Sequence, residues 1–273
     1  MLRKPLSLLL PLAVAAGVAL GAPAGTRAAS DAVKLKSVAW TFNGVFGRFD
    51  YPQLRRGLQV YLDVCSTCHG LRLVAYRDLG AIGLSEAEIK EIAGEQEVAG
   101  DPDDSGDATT RTAEPKDRFV GPYENVQAAK AANNGAAPPD LSLIVKAREG
   151  GADYIYSLLT GYSKPPAGAK GADGKPLKLD TGQHYNKYFA GHVIAMGAPL
   201  NSDGQVEYEG KGAPKATVDQ MAKDVTAFLT WAAEPYLEER KRMGIKVMLF
   251  LLLFTGFMYA IYRHVKKDVK GTA

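Results

Sequence analysis

Two cysteines are the whole thiol complement of this 273-residue chain, and they stand together as Cys65-Ser-Thr-Cys68-His69. A Cys-x-x-Cys pair followed directly by His is the pattern of c-type haem attachment. At the end of a helix this spacing lets both thiols reach the two vinyl groups of one porphyrin as thioethers, while the adjacent imidazole is directed at the iron. Three other chemistries use such a pair: a structural disulfide, a thioredoxin-like redox couple, or half of a zinc site. Zinc requires further ligands, and the chain has no other cysteine. A redox couple is usually embedded in a strand-to-helix unit, whereas here the pair closes a helical pattern and is followed by His69 and Gly70. Covalent haem is the most economical reading.

One axial ligand, His69, leaves the opposite iron position open, and its occupant decides between electron transfer and ligand chemistry. The downstream candidates are His184, His192 and Met196. Met196 lies in the stretch Lys187-Tyr-Phe-Ala-Gly-His-Val-Ile-Ala-Met-Gly-Ala-Pro-Leu200. A thioether flanked by apolar and small residues and followed by Pro199 is similar to the distal loop of class I cytochromes c. The alternatives are a core methionine and ligation by His192, four residues earlier. Ligation by His69 and Met196 stabilises ferrous iron and closes the iron to oxygen and peroxide.

The elements that must position these groups are helical. After Asp50, Pro52 suits a first turn, and Leu54, Leu58, Tyr61, Leu62 and Cys65 recur at helical spacing, so this helix runs into the cysteine pair. Further helices are expected over Asn125 to Ala132, over Asp140 to Arg148 behind Pro138-Pro139, and over Ala152 to Thr160. A last one is expected from an N-cap at Thr217 through Val218, Met221, Val225, Phe228, Leu229 and Trp231, with a break at Pro235. Residues 163 to 176 are dense in Gly and Pro and read as loop. No run of alternating strand residues stands out. The fold class is therefore mainly α: a class I cytochrome c-like haem domain with loop insertions, plus one C-terminal transmembrane helix.

Both ends concern membranes. Arg3 and Lys4, an apolar run from Leu6 to about Leu20, and a small-residue stretch make residues 1–29 a secretory signal peptide with cleavage between 24 and 29. An N-terminal anchor is the alternative, weakened by the short core and Pro11. Residues 243–262 carry a single charge, Lys246, and at about 1.5 Å per residue cross the roughly 30 Å of a bilayer's hydrocarbon; the alternative is a buried core helix. The tail, 263–273, has four Lys and Arg against one Asp, as cytoplasmic flanks do. Residues 30–242 are then the exported haem domain, on the outer side of the membrane, with the C-terminus cytoplasmic.

The whole-chain charge of +3 hides an acidic exported part, with 25 Lys and Arg against 29 Asp and Glu between Ser30 and Arg242. Its acidity concentrates in an insertion at 85–124, which holds twelve acids and four bases. An acidic surface suits a basic protein partner and speaks against nucleic acid. A solvated, partly disordered insertion without a partner is the alternative, since Asp101-Pro-Asp-Asp-Ser-Gly-Asp107 has nothing apolar to bury.

Several strings go beyond a motif: Trp40 to Asp50, Leu54 to Tyr61, the Cys65 to His69 motif, Ala131 to Ser142, Gly151 to Tyr162, the Met196 loop, and Asp224 to Pro235 leading into the anchor. In this order they cover nearly all of the exported part, and the chain resembles the cytochrome c1 family, the haem-bearing subunit of the cytochrome bc1 complex, of the bacterial type. The resemblance implies one covalent haem c with His69 and Met196 as axial ligands. It implies that Asn133 and the Pro138-Pro139 region pack on the haem, and that Arg148 and Tyr154 lie near its propionates, where Arg148 would otherwise be read as a surface residue. Pro139 would expose the carbonyl of Pro138 to the His69 ring. It implies an electron carrier that is not an enzyme on its own but a subunit of a proton-translocating ubiquinol:cytochrome c oxidoreductase. Such a carrier takes one electron from the Rieske iron–sulfur protein and gives it to a soluble or tethered cytochrome c, beside cytochrome b in a dimeric complex, with its haem domain on the periplasmic side of a bacterial inner membrane. A membrane cytochrome c feeding a terminal oxidase or reductase, and a haem sensor or peroxidase, are the alternatives. Two departures stand out: Phe189-Ala190-Gly191 replaces the expected Phe-Pro-Gly, and His192 stands where a small or amide residue is usual.

Overall fold

The computed structural model describes residues 33–171, 174–208, 210 and 212–271, with backbone alone for 268–271. The expected signal peptide, 1–29, lies outside the described residues. Of two compact units, Met1–Lys34 and Leu35–Ala273, the second contains all the helices and strands among the described residues. Their order is α1 (Tyr51–Val60), α2 (Glu86–Gly94), β1 (Glu97–Ala99), β2 (Thr110–Thr112), α3 (Val126–Ala132), α4 (Gly151–Leu159), β3 (His184–Tyr185), β4 (Val193–Ile194), α5 (Val218–Ala233) and α6 (Leu237–Gly271). The chain is mainly helical, as expected. The two short antiparallel pairs, β1 with β2 and β3 with β4, were not legible as alternation because each strand has only two or three residues.

α1 begins where Asp50, in extended conformation, accepts the Gln53 amide, and Pro52 in the first turn costs no helical hydrogen bond. The helix passes without a break into a π-helical turn, Tyr61–Cys65, closed by the Ser66 amide donating to the Tyr61 carbonyl at 2.8 Å. That wide turn adds a residue to the register just before the motif, which leaves Asp63 exposed and Cys65 packed on the core.

α5 starts at the expected N-cap, with Thr217 Oγ1 accepting from the Gln220 amide at 3.1 Å, and is buried along most of its length from Met221 to Ala233. It lies directly on α1. At Gly57 a Cβ would fall 2.1 Å from the Asp224 carbonyl oxygen and 2.7 Å from Phe228 Cβ, so the crossing requires glycine. Around it pack Leu54, Leu58, Met221 and Val225, while Tyr61 meets Phe228 and Phe119, both at 5.9 Å between ring centres. Asp224, fully buried, is matched by Arg56 through Nε at 2.8 Å and Nη2 at 3.2 Å, and accepts also from Gln53 and Gln220. Satisfying every lone pair is what makes a buried carboxylate tolerable there.

One expectation needs correction. Residues 140–148 do not form a helix: the chain runs through turns, with Ile144 bonded to Leu141 and Lys146 and Ala147 both to Leu143. The backbone is diverted because Asp140 accepts the amides of Arg72 and Ser142, and Leu141 donates to Gly70 at 2.9 Å. The acidic insertion, whose order the sequence left open, sends several side chains into the core. Ile89, Ala93, Ala113 and Phe119 are buried in the core, Ser85 and Glu88 form a capping box, and Arg111 pairs twice with Asp117. Even its apolar-free tip, 101–107, closes as a turn in which Asp103 Oδ1 accepts from Ser105 and Asp107.

The expected span, 243–262, lies inside the longer α6, of which Leu237–Lys267 is apolar and long enough to cross a membrane, with its apolar window exposed throughout. Its first turn belongs to the core, where Leu237 is buried. The helix starts after the break at Pro235, as expected.

Candidate metal centre

The two cysteines sit at the mouth of the π-turn, with the Cys68 and His69 amides donating to the Cys65 carbonyl at 3.1 and 2.9 Å. Burial, reinforced by the neighbouring Cys68, pushes the Cys65 thiol up to about 12. A thiol held protonated at neutral pH is unsuited to disulfide exchange, which needs the thiolate. Among the described residues no cluster of three or more His, Cys, Asp or Glu could hold a metal ion, so a zinc site lacks its remaining ligands.

His69 is fixed from two sides. Its carbonyl accepts from Tyr61 Oη at 3.0 Å, and its Nδ1 lies 2.7 Å from the Pro139 carbonyl. The sequence pointed to the Pro138 carbonyl; the structure uses the next one. The reason is the clamp just described, because Asp140, Leu141 and Ser142 sew this strand onto residues 70–73, the last bond being Leu73 N–H to Ser142 Oγ at 3.0 Å. The carbonyl that enters the clamp is that of Pro139. A carbonyl only accepts, so Nδ1 carries the proton and Nε2 keeps its lone pair. Burial lowers the His69 pKa, opposed by the Pro139 bond and Asp140, which favours the neutral, ligating imidazole.

Met196 is half-buried in the turn after β4, and its carbonyl accepts from Tyr162 Oη at 3.1 Å. The turn is tied down by Asn186, fully buried, which takes the His192 carbonyl through its backbone amide and gives its side-chain amide to the Leu158 carbonyl at 2.8 Å. Gly191 and His192 have φ of 73° and 63°. His192 is thus a non-glycine in left-handed conformation, and its ring stacks obliquely on Tyr185 at 5.7 Å. His184, paired with Ile194 in the β3–β4 ribbon, is exposed.

α4 joins these parts. Tyr154 and Leu158 lie one turn apart on it and Tyr162 follows just beyond its end, so the helix carries the support of the Met196 turn. Burial raises the Tyr154 phenol, a shift that the Arg148 charge opposes; Arg148 itself is exposed and donates to the Ala147 carbonyl. Asn133 closes α3, donating to Tyr123 Oη at 2.9 Å and to the Ala129 carbonyl at 2.8 Å. Tyr162, Asn186 and Asp140 were not singled out from the sequence. Only Asp140 carried a local signal, as Asp followed two residues later by Ser after a Pro pair, the composition of an Asx turn.

The Cys65–Cys68 pair, an imidazole whose Nδ1 is held by Pro139 and a supported thioether make a donor set that fits a haem. A family model described as the cytochrome c1 family matches residues 40–269. The chain belongs to the cytochrome c1 family. It is 47% identical to cytochrome c1 of Rhodospirillum rubrum over 94% of this chain and 96% of that protein. It is 49% identical to the mitochondrial cytochrome c1 heme protein of Saccharomyces cerevisiae over 88% of this chain and 73% of that one. A Bradyrhizobium diazoefficiens protein named cytochrome b/c1 is 42% identical, with 96% of this chain matching 40% of its length. As a cytochrome c1 this is a haem-binding, membrane-anchored electron-transfer subunit of the bc1 complex.

Proposed function

We propose that the chain holds one haem c through thioethers to Cys65 and Cys68, with His69 and Met196 as axial ligands. It takes one electron from the Rieske iron–sulfur protein and passes it to a cytochrome c, within a dimeric ubiquinol:cytochrome c oxidoreductase that also contains cytochrome b. The bound haem supplies a one-electron iron couple. Every other task falls to the chain: Pro139 orients His69 and keeps its Nε2 available, Tyr162 and Asn186 hold the Met196 turn, and Asn133 and Pro138 are the residues proposed to pack on the haem. Arg148 and Tyr154 are the partners proposed for the propionates, since a half-buried carboxylate needs a charged or donor group. The haem domain, 30–242, is placed on the periplasmic side, with 1–29 as a cleaved signal and 263–273 in the cytoplasm.

The observation that carries this reading is the 2.7 Å contact between His69 Nδ1 and the Pro139 carbonyl, which prepares a ligand and has no use in a disulfide or redox pair. The test is optical. The ferric protein should show the weak far-red band of iron–thioether bonding, and Met196→Leu should abolish it while opening the reduced iron to carbon monoxide. A band that survives the substitution would overturn the ligand assignment. Purification through a tag on this chain should bring down cytochrome b and a Rieske protein; their absence would favour a carrier for a terminal oxidase.

A further inference from the structure

The loop Thr41–Arg48 is rigid at its base and apolar at its tip. Phe42 and Phe49, at its two ends, are buried and stack at 5.2 Å, and Trp40 covers Phe42 at 5.4 Å. Three backbone bonds close it, from Asn43 to Trp40, Gly47 to Gly44 and Arg48 to Thr41. Gly44 takes a φ of 72°, and a Cβ at Gly47 would lie 2.0 Å from the Asn43 carbonyl oxygen, so both glycines are required. Such a loop has no internal reason to display large apolar groups. Nevertheless Val45 is 62% and Phe46 83% exposed.

The loop is fastened to α6. Glu238 Oε1 accepts the Phe49 amide at 2.9 Å, and one turn further along the helix Lys241 Nζ donates to the carbonyls of Phe42 at 2.5 Å and Gly47 at 3.4 Å. Lys241 thus holds the loop both at its base, Phe42, and beside its tip, Gly47, two residues before Met243, where the exposed apolar surface of α6 begins. Tyr236, 73% exposed at the head of the helix, is the kind of residue that sits at a membrane–water boundary.

We propose that the Asn43–Gly47 loop is a second membrane contact, in which Val45 and Phe46 insert into the headgroup and acyl boundary of the leaflet that α6 enters. A helix alone leaves its domain free to tilt. A rigid loop bonded to Glu238 and Lys241 and seated in the same boundary sets the inclination of the haem domain on the bilayer. Interfacial insertion of this kind reaches about 5–10 Å, within range of side chains at the level of the first residues of the apolar stretch. The occupant is lipid, because the loop that displays Val45 and Phe46 is bonded to the first turns of a helix apolar and long enough to cross a membrane.

The test places the photoreactive residue p-benzoylphenylalanine at position 46 of the full chain in native membranes, with position 249, exposed in the middle of α6, as the lipid-facing control. After irradiation, phospholipid adducts on the peptide containing position 46 are expected in a yield of the same order as at position 249. Adducts confined to another polypeptide would reassign the loop to a protein interface and overturn the proposal, as would no lipid adduct at 46 while 249 labels. The haem absorbance of each variant, compared with the unmodified chain, reports correct folding, and position 45 takes the probe if position 46 does not accept it.

Discussion

The ring nitrogen Nδ1 of His69 lies 2.7 Å from the carbonyl oxygen of Pro139, seventy residues along the chain. The bond is made by a clamp of backbone amides and the side chains of Asp140 and Ser142, and the clamp is where the site is most open to test. Asp140→Ala leaves the amides of Arg72 and Ser142 without their acceptor. A loss of about 1–3 kcal/mol in urea unfolding is expected, together with a changed midpoint potential in a redox titration. An unchanged potential would mean that the His69 ring is held without the clamp.

Tyr162→Phe removes only the hydroxyl that bonds the Met196 carbonyl. The expected cost is small, about 1 kcal/mol, and the far-red band persists. Cyanide or imidazole should displace the thioether faster in stopped-flow mixing, since the turn bearing Met196 is less restrained. Equal displacement rates would remove Tyr162 from the support of the ligand.

Arg56→Leu strands the fully buried Asp224 without its charge partner. Breaking a buried pair this way costs about 3–5 kcal/mol, to be read as a lowered denaturation midpoint. Replacing Asp224 by Asn in the same background should recover part of the loss, because the buried charge is then gone.

Tyr156 donates to Asp219 at 2.5 Å, and the two titrations act at opposite ends of the pH scale. Burial, with the Asp219 bond, raises the Tyr156 phenol from its ordinary 10.0 to about 12. The unfolded chain therefore releases that proton first, and stability present below pH 10 is lost as pH rises toward 12. Lys223 and Tyr156 hold Asp219 below its ordinary 3.8, so its contribution is present above that value and is lost on acidification. Melting curves against pH should show Tyr156→Phe flattening the alkaline limb and Asp219→Asn the acid limb.

Glu91, Glu95, Asp101 and Asp104 are exposed on the ordered insertion. If this surface steers a basic carrier, converting all four to amides should slow cytochrome c reduction at low salt and flatten its salt dependence. Stopped-flow rates at two ionic strengths check it; unchanged values would leave the acids as solvated surface.

The residues that do chemistry were legible because their signal is local. Cys65, Cys68 and His69 are adjacent, Asp50 and Thr217 announce their helices within three positions, and a lipid-crossing helix is a matter of length and hydropathy alone. The same local reasoning failed at 140–148, where a helical composition was overruled by amides and carbonyls of residues 70–73, and it left the order of 85–124 open, because acids concealed the few apolar side chains that anchor the segment. Strands of two or three residues carry too little pattern to be seen.

What the sequence by itself determined is therefore the haem-attachment motif and the membrane-crossing helix, since both follow from residue type and short spacing. Which carbonyl holds His69, that Tyr162 supports Met196, that Gly57 admits Asp224 and Phe228, and that Lys241 of α6 bonds Phe42 and Gly47 were decided only in three dimensions. Each joins partners that are 34 to 199 residues apart. Such contacts depend on how whole helices pack, and no local preference of the chain encodes them.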